Sequence, residues 1–279
     1  MLLTNDDGIW ADGLQSLRRA LAGLPGVELA VIAPDGNRSA MARSITTRRP
    51  LWVERVDFED GTHGYATDGT PVDCVRLAKL GLIEGFEAEA VVSGINHGAN
   101  LGDDITYSGT VAAALEGVVL GLPAIAVSQQ SARREMDFRL GNEFDFTAAA
   151  AFTAQVVDRL AGTVDSEALD GRMPLPEGTL LNVNVPGGGV EGVEVTRLGK
   201  RIYRDHLQLH AEDGERRQFW IYGADHGFED VPGTDLAAVA AGRIAVTPLH
   251  FDLTDVEGMD ALRRFDLARL LAPAAREVE

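Results

Sequence analysis

Cysteine is almost absent from this chain: Cys74 is the only one in 279 residues. A lone thiol excludes an internal disulfide framework and a multi-cysteine zinc site. Long apolar runs are missing as well. No stretch of about 18 consecutive apolar residues occurs, so no segment is built to span a membrane as a helix. The first residues carry no basic segment leading into an apolar run, so no secretory signal is read and a cytoplasmic protein is expected. Positive charge is scarce, with 25 Lys and Arg against 43 Asp and Glu and a formal net charge of −18. A field of that sign repels polyanions, which argues against nucleic acid or an anionic membrane as a partner. It leaves a small phosphorylated substrate open, because a bound cation inverts the sign locally. Two phosphate signatures are also lacking. There is no GxxxxGK[ST] and no strand-linked GxGxxG, which disfavours a P-loop ATPase or a dinucleotide enzyme.

What remains is a globular composition, 45% hydrophobic and 24% charged, enough to build a sizeable core in one large domain or two smaller ones. Met1-Leu2-Leu3 reads as a short strand that stops at Thr4-Asn5-Asp6-Asp7-Gly8. Leu14, Leu17 and Leu21 recur at helical spacing before Gly23. A second strand is expected over Val27 to Ala33. Thr70-Pro71-Val72-Asp73 carries a capping hydroxyl, a proline at the first helical position and an acid in the first turn. Ala90 to Ser93 reads as a strand broken at Gly94. Ser108-Gly109-Thr110 opens an alanine-rich helix over Val111 to Leu120. Ala124 to Val127 is a strand, Phe146 to Leu160 a helix and Leu180 to Val185 a strand. Short apolar strands alternating with helices of 10 to 15 residues indicate βαβ units and a mostly parallel sheet flanked by helices.

The pattern changes near residue 190. Val193 to Tyr203 and Arg217 to Tyr222 read as polar-aromatic strands of one long projecting hairpin, turning at Ala211 to Gly214. A late strand over Ile244 to Leu249 and a helix over Met259 to Leu271 follow. The division expected is an α/β core over 1–192, a projecting hairpin region over 193–243 and a late strand with terminal helix over 244–279. Tyr203, Leu207, Trp220 and Tyr222 would leave apolar area exposed on a lone chain, and an isolated hairpin is marginal in water, so self-association is expected there.

Polar clusters fall where strands end: Asp6-Asp7, Asn37-Arg38-Ser39, Gly94-Ile95-Asn96 and Ser108-Gly109-Thr110. In an open parallel sheet such ends converge on one ligand site. Two adjacent carboxylates leaving a buried strand repel each other unless a cation sits between them, and hard oxygen donors suit Mg²⁺, Mn²⁺ or Ca²⁺. A helix cap with a solvated acid accounts for the same pair equally well. Ser108-Gly109-Thr110 offers free N–H groups, two hydroxyls and a helix N-terminus, a cradle for phosphate or an ordinary serine cap. Phosphatases that form an aspartyl-phosphate place their acids two apart rather than adjacent, which weighs against covalent catalysis here. Cys74 reads as a small core residue. His97, inside the Asn96 loop, stands near the same cluster, while His206 and His210 lie in hairpin-like sequence unsuited to a paired zinc site. His226 and His250 read as polar surface or core positions.

These phrases, taken together and in order, resemble the SurE family of survival-protein nucleotidases. The motifs are Leu3-Thr4-Asn5-Asp6-Asp7-Gly8, Asn37-Arg38-Ser39, Gly69-Thr70-Pro71-Val72-Asp73, Val92-Ser93-Gly94-Ile95-Asn96, Tyr107-Ser108-Gly109-Thr110, Asn182-Val183-Asn184-Val185-Pro186 and Thr196-Arg197-Leu198-Gly199. The resemblance implies a Rossmann-like core, with the C-terminal hairpin and helix used to build a homodimer or homotetramer. It implies a metal-dependent phosphomonoesterase acting on nucleoside 5′-monophosphates, also on 3′-monophosphates and on short polyphosphate in some members. It implies one divalent ion per subunit, Mg²⁺ or Mn²⁺, held by Asp6, Asp7, Ser39 and Asn96. Asp6, Asp7 and Asn96 then carry catalysis, and Gly94, Ser108, Gly109 and Thr110 hold the phosphate. A non-catalytic nucleotide-binding regulator would use the same cradle without four convergent oxygens. The chain departs from the family's pattern at Ala40, where the family often has glycine, and at Arg43, where it has a small or amide residue. The segment beyond Thr254 carries no motif of the resemblance.

Overall fold

The computed structural model describes residues 1–136, 143–164, 176–221, 227–265, 267 and 270. The elements run β1 Leu2–Thr4, α1 Asp12–Ala22, β2 Ala30–Pro34, β3 Val53–Asp57, β4 His63–Thr67, α2 Pro71–Lys79, β5 Val91–His97, α3 Gly109–Val119, β6 Ala124–Gln129, α4 Thr147–Val164 and β7 Thr179–Val185. After them come β8 Gly192–Val195, β9 Arg201–Ile202, β10 Gln208–Asp213, β11 Arg216–Trp220, β12 Gly227–Phe228, α5 Asp235–Ala240, β13 Arg243–His250 and α6 Val256–Arg263. Nine strands form one sheet in the order β3-β4-β2-β1-β5-β6-β7-β13-β8. Pairing is antiparallel between β3 and β4 and between β7 and β13, and parallel elsewhere in that sheet.

Alternation along β1 divides the core. Leu3 joins Leu14, Leu17 and Leu21 of α1 and the α4 residues Ala149, Ala150 and Val157 on one face. Leu2 joins Cys74 and Val75 of α2 and Val111, Ala113 and Ala114 of α3 on the other. Successive strand residues point to opposite faces, so two leucines in series serve two layers of helices. Helix α2 starts with a full capping box: the Thr70 hydroxyl accepts from the Asp73 N–H, and the Asp73 carboxylate accepts from the Thr70 N–H. Cys74 is fully buried, and burial pushes its thiol well above the usual range, so it is a core residue and not a nucleophile.

Two strand expectations are corrected here, and one hairpin is new. The strand thought to break at Gly94 runs on to His97, with a register shift against β6 between Ser93 and Asn96. A side chain at Gly94 would put its Cβ 2.3 Å from the Val127 carbonyl oxygen, so close packing against β6 explains the glycine. The β3–β4 hairpin, which extends the sheet at one edge, has no counterpart in the sequence reading. The second strand starts at Ala30 rather than Val27.

Val193 to Tyr222 is not a single hairpin. β8 leaves it to pair in parallel with β13, because β13 lies beside β7 and would otherwise present a bare edge. The hairpin is the shorter Gln208–Trp220 segment, closed by Gly214 in a left-handed conformation with φ 59°. Helix α5 packs on β13 with Leu236 and Val239 fully buried, so residues 193–243 contribute to the core as well as to a projection. Tyr222 and His226 lie outside the described residues, and the expected terminal helix over Met259 to Leu271 is represented by α6, which starts earlier, at Val256, and ends at Arg263.

The capping box sets a pH-dependent stability. Asp73 also accepts the Thr46 N–H, 3.0 Å away. Burial would raise its carboxyl, but the hydrogen bonds from Thr70 and Thr46 outweigh it and hold the carboxyl below its ordinary value. The contribution is therefore complete above the unfolded-state pKa of about 3.9 and lost as pH falls through the lower folded-state value. Asp73→Ala is expected to lower stability by about 1–2 kcal/mol at neutral pH, and its deficit against wild type should shrink below about pH 4, as read from urea midpoints across that range.

Candidate active site

The sheet order reverses beside β1: β2 lies on one side and β5 on the other. Crevices form at such a point beyond the carboxyl ends of the strands. Asp6 and Asp7 follow β1, Ser39 follows β2 and Asn96 lies near the end of β5. One small cleft is lined by Asp6, Ser39, Asn96, His97 and Ser108, with Ala40, Asn100, Asp104 and Tyr107 completing it. Asp7 lines an adjoining, larger cleft that shares His97.

Asp6 is 3% exposed. It stands against the N-terminus of α3, where the Thr110 hydroxyl donates to its Oδ1 and the Gly109 backbone supplies a further hydrogen bond. Burial first, and the Asp7 charge second, push the Asp6 carboxyl up to about 6 despite those bonds. Asp7 accepts three hydrogen bonds: from the His97 N–H at 3.1 Å, from His97 Nδ1 at 2.8 Å and from Asn37 Nδ2 at 3.2 Å. Burial pulls the His97 imidazole down, but the hydrogen bond and charge of Asp7 outweigh it and the net shift is upward. A carboxylate has about four lone-pair sites, so Asp7 keeps capacity for one more partner.

Local backbone bonds hold the loops over these acids. The Arg38 N–H donates to the Asp6 carbonyl at 2.6 Å, and the Ser39 N–H donates to Asn37 Oδ1 at 2.9 Å. Asn96 commits its amide nitrogen to the Gly98 carbonyl at 2.7 Å, which leaves the amide oxygen as its free end. The Gly98–Gly102 loop is pinned from below: the Asn100 N–H donates to Asn184 Oδ1, and Asn182 and Asn184 both donate to the Asn100 carbonyl. Asn182 and Asn184 are fully buried, so the alternation of amides with Leu181, Val183 and Val185 along β7 is a loop anchor.

The donor set is two carboxylates, one hydroxyl and one amide oxygen, all oxygens, which fits a hard divalent cation. Among the described residues no group of three His, Cys, Asp or Glu side chains could hold a metal ion, so a cation here depends on Ser39 and Asn96 as well as on the acids. A buried carboxylate repelled by its neighbour is the electrostatic arrangement that such a charge relieves.

The expected phosphate residues separate by role. Ser108 lines the small cleft, and its oxygen accepts the Val111 N–H at 3.1 Å as the cap of α3, which leaves its hydroxyl hydrogen to donate elsewhere. Thr110 is fully buried and spends its hydroxyl on Asp6. Gly109 is the point of contact with Asp6, and Gly94 lines neither cleft. Tyr107, Asn100, Asp104 and Asn37 join the site without having been singled out individually as site residues. Asp104 pairs with the buried Arg201 at 2.6 Å and accepts the Tyr203 hydroxyl at 2.8 Å. Asn37 and Tyr107 stand within motifs of the resemblance, Asn37-Arg38-Ser39 and Tyr107-Ser108-Gly109-Thr110.

Both departures from the family pattern have structural counterparts. Ala40 adopts φ 59°, a conformation in which glycine carries no steric penalty. Arg43 pairs at 2.6 Å with Glu116, which is 1% exposed and also pairs with Arg76. The arginine thus supplies charge to an acid buried in α3.

Comparison with known proteins agrees with this geometry. The family model described as Survival protein SurE matches residues 1–205. A relative from Rubrobacter xylanophilus, named 5′-nucleotidase SurE, is 48% identical over 274 residues, covering 97% of this chain and 98% of the relative. A second of that name, from Symbiobacterium thermophilum, is 44% identical over 96% of this chain and 98% of its own length. The crystal structure of the SurE protein from Aquifex aeolicus superimposes with a TM-score of 0.70 at 35% identity, over 94% of this chain and 98% of that one.

The Asp6–α3 contact is tight enough to test. A Cβ at position 109 would lie 2.7 Å from Asp6 Cβ and 2.8 Å from Asp6 Oδ2. Gly109→Ala should therefore displace Asp6 or the first turn of α3 and cost about 1–3 kcal/mol of stability, measured by urea denaturation. Wild-type stability would show that the contact yields freely.

Proposed function

The chain belongs to the survival protein SurE family, and from that premise we propose that it is a 5′-nucleotidase, a phosphomonoesterase that hydrolyses nucleoside 5′-monophosphates to nucleoside and phosphate. The observation that carries the reading is the buried Asp6 beside Asp7 at the sheet's switch point, facing oxygen donors and a capped helix N-terminus. The non-catalytic regulator has no observation in its favour. Hydrolysis of 3′-monophosphates and short polyphosphate, and a cytoplasmic location, belong to the same proposal. Among the described residues no helix is long and apolar enough to cross a membrane.

In this reading Asp6, Asp7, Ser39 and Asn96 hold one divalent cation, Mg²⁺ or Mn²⁺, which when bound polarises a phosphoryl oxygen and lowers the pKa of water. The chain's own residues do the positioning. Thr110 and Gly109 fix the Asp6 carboxylate, and His97 with Asn37 fixes that of Asp7. The Ser108 hydroxyl and the N-terminal end of α3 bind the remaining phosphoryl oxygens, where the helix dipole favours negative charge. Phosphoryl transfer asks for little more than such positioning and charge neutralisation.

Assembly into a homodimer or homotetramer is part of the proposal. Leu207, Leu209, Phe219, Trp220 and Ile221, in and beside the β10–β11 hairpin, are between 42% and 68% exposed, apolar area that a second subunit would cover.

Protein stripped with EDTA is expected to lose phosphatase activity and to regain it with Mn²⁺ or Mg²⁺. Full activity on nucleoside monophosphates without any divalent ion would overturn the reading. Asp7→Asn should fold normally and lose turnover by about tenfold or more, each 1.4 kcal/mol of lost stabilisation being tenfold. Wild-type turnover of that variant in saturating Mn²⁺ would remove Asp7 from the site. Ser108→Ala should lower kcat/KM for nucleoside monophosphates by about 10- to 150-fold, the worth of one hydrogen bond to a charged group, with metal affinity nearly unchanged. Unchanged kinetics would confine Ser108 to capping α3.

A further inference from the structure

The small cleft that holds Asp6, Ser39, Asn96 and Ser108 has a volume of about 40 Å³, room for little beyond a phosphoryl group and a cation. The rest of a nucleotide needs space elsewhere. The adjoining cleft measures about 640 Å³, within the range of about 300–1,000 Å³ typical of small-molecule sites. His97 belongs to both walls, and Asp7, in the lining of the larger cleft, is sequence neighbour to Asp6 in the smaller one. A molecule whose phosphate enters the small cleft therefore has its other end directed along His97 into the larger.

That larger cleft is lined by aromatic rings. Phe144 and Phe146 stack with centroids 5.7 Å apart, and His97 meets both edge-on at 5.2 and 4.9 Å. Trp10 stands edge-on to Phe58 at 5.7 Å, which fixes its ring while leaving it 57% exposed. A large aromatic held in place yet half in water presents a flat apolar surface to a ligand in the cleft. Asp12, in the first turn of α1, adds an exposed acceptor. The combination of flat apolar rings with an acceptor at the rim matches a nucleoside, whose base offers a π face and whose ribose hydroxyls and exocyclic amines donate hydrogen bonds.

Resting on the phosphomonoesterase reading above, we propose that this second cleft is the nucleoside subsite, with the base against Trp10 and Phe144 and with Asp12 receiving a donor from the ribose or base. It makes Trp10, Phe144 and Asp12 determinants of substrate choice. The sugar phosphate would be held by the small cleft and the base by the large one.

Two measurements test it. In protein carrying Trp52→Phe and Trp220→Phe, both replaced positions being exposed, Trp10 is the remaining indole. Adenosine, which has no phosphate, should change its fluorescence saturably and ribose should not. Adding Phe144→Ala should weaken adenosine binding by about 5- to 150-fold, the span measured for base stacking on one aromatic ring. In the second measurement, kcat/KM is compared for AMP and ribose 5-phosphate, which differ only in the base. Trp10→Ala should lower the AMP to ribose 5-phosphate ratio by a similar factor, and Trp10→Phe should restore most of it. No saturable response to adenosine up to its solubility, or a ratio unmoved by Trp10→Ala, would overturn the subsite. Failure to cleave either ester with Mn²⁺ or Mg²⁺ would instead overturn the phosphomonoesterase reading, while the adenosine titration would still decide the subsite.

Discussion

The arrangement of this molecule turns on one buried carboxylate. Asp6 leaves β1 at the centre of the sheet, beside a second carboxylate, in a place that water scarcely reaches. An acid so placed resists ionisation, and its carboxyl lies near 6. The surroundings answer with donors rather than with a cationic side chain: the Gly109 backbone, the Thr110 hydroxyl and the N-terminal end of α3. Those groups orient the charge without neutralising it. The remaining electrostatic demand is what makes a divalent ion the natural partner in the proposed site, and it ties the positions of α3, β1 and the Asn96 loop to one another.

The sheet supplies the convergence. Crossovers through helices send consecutive strands to either side of β1, so loops far apart in sequence end beside each other. Asn96 lies 90 positions beyond Asp6, and Ser39 only 33, yet all three line one cleft. Loops built only of turns would drift, and here buried amides hold them. Asn182 and Asn184, flanked in their strand by Leu181, Val183 and Val185, grip the Asn100 carbonyl, and Asp235 grips the N–H groups of Gly102 and Gly199. Buried polar groups are costly unless satisfied, which is why such residues are informative when they occur in a core.

The departures from the family pattern show how local chemistry adapts within a shared frame. Ala40 accepts a left-handed backbone beside Ser39, and Arg43 reaches into the charge cluster around Glu116 and lies over the Phe251 ring at 4.6 Å. One change alters how firmly the Ser39 loop is shaped, and the other ties that loop to α3. The C-terminal segment adapts differently. β8, α5 and β13 close the sheet, while β10 and β11 stand off from it with apolar side chains exposed.

The sequence alone determined the βαβ alternation, both helix starts at Thr70 and Ser108, the burial of Cys74 and the acidic, oxygen-rich cluster. Each of these depends on neighbours within a few residues: periodicity, a cap, an adjacent pair of charges. It also marked the polar clusters around Asp6, Ser39, Asn96 and Ser108, because strand ends share a site by topology, while the choice of Ser39 and Asn96 within them came from the family resemblance. Only the tertiary structure decided what depends on distant partners. It carried β5 past Gly94, because the Val127 carbonyl of a neighbouring strand lies where a side chain would go. It gave Thr110 to Asp6, since a hydroxyl buried beside an acid bonds to that acid. It placed β8 on the edge of β13, because a strand's neighbour across a sheet leaves no trace in its own alternation. It assembled the aromatic wall from Trp10, His97, Phe144 and Phe146, residues from three segments with no common period, brought together because the packing of α1 against α4 and β5 sets their separation.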